Sequence, residues 1–326
     1  ERLRQAAVEE LGAVEDAGHI VDLERAYAGY LREAEGISHV DQLAAAVLGR
    51  EMCKFLQGGE KSLDAAQKAL TYANTKPNKA NGEITFDRQQ VRLMAPVPRP
   101  GALVSAGKNF SDHVAEMASK KGPVAPVAFL KLPGTVIGPE DDIFHPPEVK
   151  NLDYEVELAV IIGRPCVDVS EEEALDYVAG YAAFNDISAR DVIRSENKTG
   201  IHLMGKSFPG FAPMGPYIVT ADEVKDPDNL QVRLWVNGTL MQNYNTSDMA
   251  HKIPRCIEWV SSIHALEPGD VLALGTNHRG LNPFQDGDLV ELETEPLGRL
   301  HVKIRDDLKR TWARETRLQR QEKGLE

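Results

Sequence analysis

The sequence predicts a β-rich α+β fold, with a rolled mixed β architecture following a small N-terminal region, on three observations. Beyond residue 96, nine short apolar runs of strand length follow one another, with turn residues between them. Only one segment there carries a clear helical stripe, so the strict alternation of strand and helix that marks a doubly wound sheet is missing. Pro96–Val97–Pro98–Arg99–Pro100–Gly101 then interrupts the chain, dividing it into a small domain (1–95) and a larger one (96–326) that carries a charged C-terminal tail.

In chain order, residues 13–23 suit a short hairpin turning near Asp16–Gly18. Helical spacing appears over Asp41 to Phe55, through Leu43, Val47 and Leu48, and over Ser62 to Tyr72, through Leu63, Ala66 and Leu70. Ser62 and Asp64 are the expected caps of the second helix. Residues 76–82 read as a loop. The nine expected strands are Ala102–Gly107, Val127–Leu132, Tyr154–Ile162, Val178–Asn185, Tyr217–Thr220, Gln231–Val236, Val271–Gly275, Leu289–Glu293 and Leu300–Ile304. Ile253 to Leu266 is the clear helix, with Ile253, Ile257, Val260 and Ile263 on one stripe and Pro268–Gly269–Asp270 ending it. Residues 306–326 are strongly charged and are expected to form a solvated helix.

Composition narrows the function. A formal net charge of −13 argues against nucleic-acid or anionic-membrane partners, which need clustered Lys and Arg, but leaves room for a local cationic pocket that takes a small acidic substrate. Three dispersed cysteines, Cys53, Cys166 and Cys256, fit a reducing compartment and neither a disulfide framework nor a zinc site. No run approaches the roughly 20 apolar residues of a membrane span. No signal-like segment is visible after Glu1, so the default expectation is a cytoplasmic protein.

The chemistry starts at Glu155 and Glu157, two residues apart in the otherwise apolar run Leu152 to Gly163. Alternate residues of a strand share a face, so both carboxylates project the same way from a segment that is expected to be buried. Desolvation makes unpaired carboxylates costly there; either cations meet them or one divalent metal does. Asp186 follows the apolar run Gly180 to Asn185 and opens the polar turn Ile187 to Asp191. Three carboxylates at strand positions suit a hard ion such as Mg²⁺.

Several segments in collinear order from about Pro96 to Ile304 resemble the fumarylacetoacetate hydrolase superfamily. They are Ser105 to Met117, Pro126 to Lys131, the two-glutamate strand, Asn185 to Asp191, Gly205–Lys206–Ser207–Phe208, Val236–Asn237–Gly238, Asn245 to Met249 and Leu274–Gly275–Thr276. The resemblance implies a homodimeric enzyme with a mixed β-sandwich roll and a small N-terminal cap domain. It also implies one Mg²⁺ or Mn²⁺ per subunit, held by Glu155, Glu157 and Asp186. Members act on 2-oxo acids or β-diketones through two adjacent oxygens, and such an ion would stabilise the enolate formed when a neighbouring bond breaks. By the same carry-over, Lys206 and Arg190 neutralise substrate charge, Asn109, Phe110 and Thr276 contact substrate, and Lys206 acts with His113 and Glu116 in catalysis. His113 and Glu116, three apart, would share a helix face as a dyad that activates water, on a mobile lid over residues 111–124.

Some segments depart from the family pattern. Asn277 to Asp288 is longer and more polar than the short turn of typical acylpyruvate hydrolases, and His251–Lys252 replaces an apolar pair. His278 and Arg279 either line the substrate mouth or form a polar surface loop. The leading expectation is a metal-dependent hydrolase that cleaves a C–C bond in an acylpyruvate-like acid. Decarboxylation of an oxaloacetate-like acid, or isomerisation or dehydration of a 2-oxo acid, is the alternative on the same site, and a non-catalytic metal-binding dimer is the third reading.

Overall fold

The computed structural model describes residues 11–16, 18–76, 84–110 and 125–325. Contacts divide the chain into two compact units after Arg92.

The first unit pairs β1 (Gly12–Asp16) with β2 (His19–Asp22) as the expected hairpin, and β3 (Thr85–Asp87) adds to the other side of β2. Four helices follow β2: α1 (Leu23–Glu33), α2 (Val40–Leu48), α3 (Met52–Gln57) and α4 (Glu60–Asn74). The single helix expected over Asp41 to Phe55 is therefore two. Gly49 ends the first at φ 65°, where a Cβ would lie 2.7 Å from that of Lys54. Ser62 is not a cap. It is buried inside α4 and donates to the Val47 carbonyl at 2.6 Å, tying α4 to α2.

The second unit has a seven-stranded mixed sheet ordered β5 (Val127–Leu130), β4 (Leu103–Gly107), β15 (Val271–Ala273), β9 (Val156–Ile162), β10 (Val178–Asn185), β12 (Ala212–Thr220), β6 (Val136–Ile137). A five-stranded sheet is ordered β14 (Thr239–Asn245), β13 (Gln231–Val236), β16 (Leu289–Thr294), β17 (Arg299–Arg305), β7 (Asp142–Phe144). A short ladder joins β8 (Leu152–Asp153) to β11 (Ser188–Ala189). The burial patterns distinguish the sheets. Every residue of β9 is buried, as a central strand covered on both faces requires, whereas β13 and β16 alternate buried with half-buried and so keep one wet face. Val160 and Ile162 of β9, Tyr181 and Ala183 of β10, and Leu234, Leu292 and Val302 of the second sheet share one core. This is a curled, mixed β architecture, as expected. Asn237 and Gly238, both at positive φ, make the tight turn between β13 and β14.

Two further expectations change. Helix Ile253–Ser261 stops before Leu266. Residues 306–325 are not one solvated helix; only Arg317–Glu322 is helical, behind a Thr316/Gln319 capping box. The stretch before it is pinned by buried Asn282, Gln285 and Asp288, which bond to the Glu315 carbonyl, the Trp312 carbonyl and Arg314.

Candidate active site

The run expected as one strand over Tyr154 to Ile162 is interrupted at Tyr154 and Glu155, between β8 and β9. In that gap the Glu155 N–H donates to Asn185 Oδ1 at 2.9 Å, and the Glu155 carbonyl accepts from the Asp186 N–H at 2.8 Å. The backbone irregularity is thus satisfied by the segment that carries the third carboxylate. Glu155, Glu157 and Asp186 each offer an oxygen within 4.8 Å of the others, and all three are buried.

Cations surround the cluster. Lys206 Nζ donates to Glu155 Oε2 at 2.7 Å and to Asp186 Oδ2 at 2.5 Å. Arg190, at the start of helix Arg190–Glu196, holds Asp153 at 2.7 Å and Glu155 Oε1 at 2.5 Å. His278 Nε2 stands 3.0 Å from the same Glu155 oxygen. Lys131, wholly buried, donates to Asp186 Oδ1 at 2.6 Å and to the Lys206 carbonyl at 2.5 Å.

The protonation equilibria follow this layout. Burial alone would raise Glu155, but Arg190, Lys206 and His278 overcome it and hold the carboxyl well below the usual range. Glu157 goes the other way. Burial and the nearby Asp186 and Glu155 charges push it well above the usual range, while the Gly275 N–H, its partner at 2.9 Å, offsets little of this. Burial also carries Asp153 up to about 6 against the pull of Arg190. Lys131 is lowered by burial, whereas in Lys206 the Asp186 and Glu155 charges outweigh burial and raise it.

This donor set fits a divalent metal ion. Four buried carboxylates, Asp153, Glu155, Glu157 and Asp186, face two buried cations, Lys131 and Lys206, and the largely buried Arg190. Among the described residues Glu157 forms no ion pair, so one negative charge must either take a proton or meet a further cation.

The scaffold holds Lys206 closely. It ends the turn Met204–Lys206, whose approach is clamped by Glu196: its carboxylate accepts from the N–H groups of Leu203, Met204 and Gly205 at 3.2, 2.6 and 3.0 Å. Gly205 is required there, since a Cβ would lie 2.4 Å from Ile193 Cγ1 and 3.0 Å from the Ile193 backbone nitrogen. Gly275, at φ 86°, brings its N–H to Glu157 in a site where a Cβ would meet the Ala106 carbonyl at 3.0 Å.

Glu155, Glu157, Asp186, Arg190, Lys206, Thr276 and His278 all line one chamber of about 1230 Å³. Asn109 and Phe110 are not among its lining residues. Asn109 is a buried clamp that donates to the His251 and Leu274 carbonyls at 3.1 and 3.0 Å, and Phe110 packs edge-on against Tyr244. His113, Glu116 and the lid expected over 111–124 lie outside the described residues. Lys131 and Asp153 went unassigned in the sequence, although a lysine directly after an apolar strand was a signal for the first.

Residues 102–305 match the family model described as fumarylacetoacetate (FAA) hydrolase C-terminal. This chain belongs to the fumarylacetoacetate hydrolase family. It is 38% identical over 264 residues to the oxaloacetate tautomerase Fahd2a, mitochondrial, of Rattus norvegicus, covering 79% of this chain and 80% of the relative. Maleylpyruvate hydrolase from Sphingobium sp. SYK-6, solved in complex with manganese(II) ion and pyruvate, superposes with a TM-score of 0.67 at 28% identity, over 91% of this chain and 96% of that one. The 2-hydroxyhepta-2,4-diene-1,7-dioate isomerase of Mycobacterium marinum gives 0.62 at 36% identity, over 71% of this chain and 84% of that one. The family is thus one of enzymes, and these relatives are named as a tautomerase, a hydrolase and an isomerase.

Proposed function

We propose that this chain is a divalent-metal-dependent enzyme that moves a proton at the carbon next to the carbonyl of a 2-oxo acid, interconverting its keto and enol forms. The observation that carries this reading is the buried Glu155–Glu157–Asp186 cluster with Lys206 and Lys131 fixed against it. A Mg²⁺ or Mn²⁺ ion held by those carboxylates would supply Lewis acidity toward adjacent carbonyl and carboxylate oxygens. The chain's own residues supply the remaining electrostatics. With the four carboxylates ionised and the ion present, the charge of the site turns from a deficit to an excess of one positive unit, which suits an anionic substrate and the charge that develops on enolisation. Lys206 and Arg190 keep that charge in place, and burial keeps it strong by excluding water. Keto–enol exchange removes a proton from carbon and places one on oxygen, so it needs no attacking water.

Hydrolysis of a C–C bond in an acylpyruvate-like acid is the second reading. The likeness to maleylpyruvate hydrolase over 91% of the chain supports it, since that coverage runs beyond the family-matched segment. It requires an activated water, the role expected of His113 and Glu116. Two assays on one preparation discriminate the readings: relaxation of the oxaloacetate enol band, and loss of maleylpyruvate, each with Mg²⁺, with Mn²⁺ and with EDTA. Metal-dependent acceleration of enol relaxation without maleylpyruvate cleavage supports the first. Cleavage at a comparable or faster rate favours the second, and silence in both assays removes both.

A further inference from the structure

The stretch Asn277–His278–Arg279–Gly280, where the sequence departs from the family pattern, lies against the carboxylate cluster and is anchored on both sides of His278. On the near side stands Gln242, wholly buried on β14. It accepts from the Val156 N–H at 3.2 Å and donates to the Thr276 hydroxyl at 3.1 Å and the Asn277 carbonyl at 2.7 Å. One amide thereby ties the backbone between Glu155 and Glu157 to the residue before His278.

On the far side the hydroxyl of buried Tyr154, the residue before Glu155, donates to the Gly280 carbonyl at 2.6 Å. Gly280, at φ 84°, lies so close to β14 that a Cβ there would collide with the Met241 carbonyl. Between these anchors His278 lines the chamber with 11% of its side chain exposed. Its Nε2 is 3.0 Å from Glu155 Oε1, within hydrogen-bond distance.

An ionised carboxylate only accepts hydrogen bonds, so the ring nitrogen that faces it is the one that carries hydrogen. The cations on Glu155 are each shared with a second carboxylate, Arg190 with Asp153 and Lys206 with Asp186. Each also brings a full positive charge into the cluster, which opposes a bound cation. An imidazole can donate without a net charge and so can orient a carboxylate without that opposition.

We propose that His278 is a positioning residue that orients the Glu155 carboxylate for metal binding, and that Gln242 keeps His278 in place through the loop. The proposal rests on the divalent-metal reading above. Groups that orient a metal ligand typically change affinity or activity by about 10–100-fold when removed.

Calorimetric titration of the full chain with Mn²⁺ tests it, beside thermal unfolding of the metal-free protein. His278→Leu should weaken Mn²⁺ binding about tenfold or more, with an unchanged melting temperature. His278→Gln, whose amide nitrogen reaches about as far along the side chain as Nε2, should stay within about threefold of the parent. His278→Asn, which falls short of Glu155, should behave like His278→Leu. Gln242→Met should weaken Mn²⁺ binding in the parent and add less than about threefold in a His278→Leu background, since both act through one contact; if Gln242→Met does not fold, the His278 variants decide. Parent-like affinity in His278→Leu, or equal losses in the leucine and glutamine variants, overturns the proposal and leaves the metal reading standing. Affinity that falls only in step with the melting temperature also overturns it. A parent that does not bind Mn²⁺ removes the metal reading and this proposal together.

Discussion

Glu155, in the gap before β9, and Glu157, on β9, have opposite electrostatic fates, and the contrast has a measurable consequence. Glu155 compensates Arg190 and Lys206, so Glu155→Gln leaves two largely buried cations short of a partner. Breaking such a pair costs about 3–5 kcal/mol. Glu157 forms no ion pair among the described residues and is pushed toward its protonated form, which glutamine resembles in shape and charge. In metal-free protein, chemical denaturation should therefore show Glu155→Gln strongly destabilised and Glu157→Gln equal to the parent or slightly above it. Both variants, and Asp186→Ala, should lose Mg²⁺ and Mn²⁺ binding in calorimetry. Equal stability losses in the two glutamine variants would contradict the charge layout, and retained affinity in all three would remove the metal site. The triad was legible in the sequence because ionised side chains stand out in an apolar run. Lys131 and Asp153 were not, because their meaning depends on partners 55 and 37 residues away, Asp186 and Arg190, which only folding brings close.

At the scale of elements, positions that read as interruptions prove to be joints. Helix α1 escaped the sequence reading, and Gly29 in its middle is a poor helix former. Its missing side chain leaves room for Tyr72 of α4, whose ring would lie 2.5 Å from a Cβ at that place. Gly49 likewise marks a helix end that periodicity alone ran through, and Gly205 admits the turn that carries Lys206. Two substitutions probe this last joint. Gly205→Ala must displace the Ile193 side chain and crowd its backbone nitrogen, and Glu196→Ala removes the acceptor of three N–H groups, at a cost of about 1–3 kcal/mol. Each should lower kcat for 2-oxo acid enolisation at least tenfold through a misplaced Lys206, with thermal unfolding still cooperative. Unaltered kcat in Glu196→Ala would show that the clamp does not position the lysine. The strands were better read than the helices, because runs such as Val178–Asn185 and Gln231–Val236 are set by core burial, which periodicity reports directly.

For the molecule as a whole, the C-terminal segment 307–325 couples stability to pH through its contacts with His145. Buried and in contact with Arg310 and Trp312, its imidazole is held below the ordinary value, first by burial and then by the Arg310 charge. The folded protein keeps it neutral, while the unfolded chain takes up a proton near the ordinary value of about 6.5. Stability from this residue is therefore complete above that pH and is lost as pH falls from there through the depressed folded value. Between pH 7 and 5 the parent should lose more melting temperature than His145→Gln does. Parallel losses would place the acid sensitivity elsewhere. Charge count alone read residues 306–326 as solvated, because it cannot see that Asp288 and Asp306 wait inside the fold to receive Arg314 and Arg310.

The segment from Asn277 to Asp288 touches both the carboxylate cluster and residues 307–325. His278 leans on Glu155, while ten residues later Asp288 grips Arg314, with Asn282 and Gln285 holding the 307–325 segment between. The carboxylate cluster and the 307–325 segment are thus joined through a single stretch of chain. A 307–325 segment borrowed from a relative would arrive without Asn282, Gln285 and Asp288, which seat it, and a change made to accommodate it would be transmitted to the histidine beside Glu155. Segments 277–288 and 307–325 therefore exchange between relatives only as one cassette; a graft of either alone should leave Asn282, Gln285 and Asp288 without the partners they now hold.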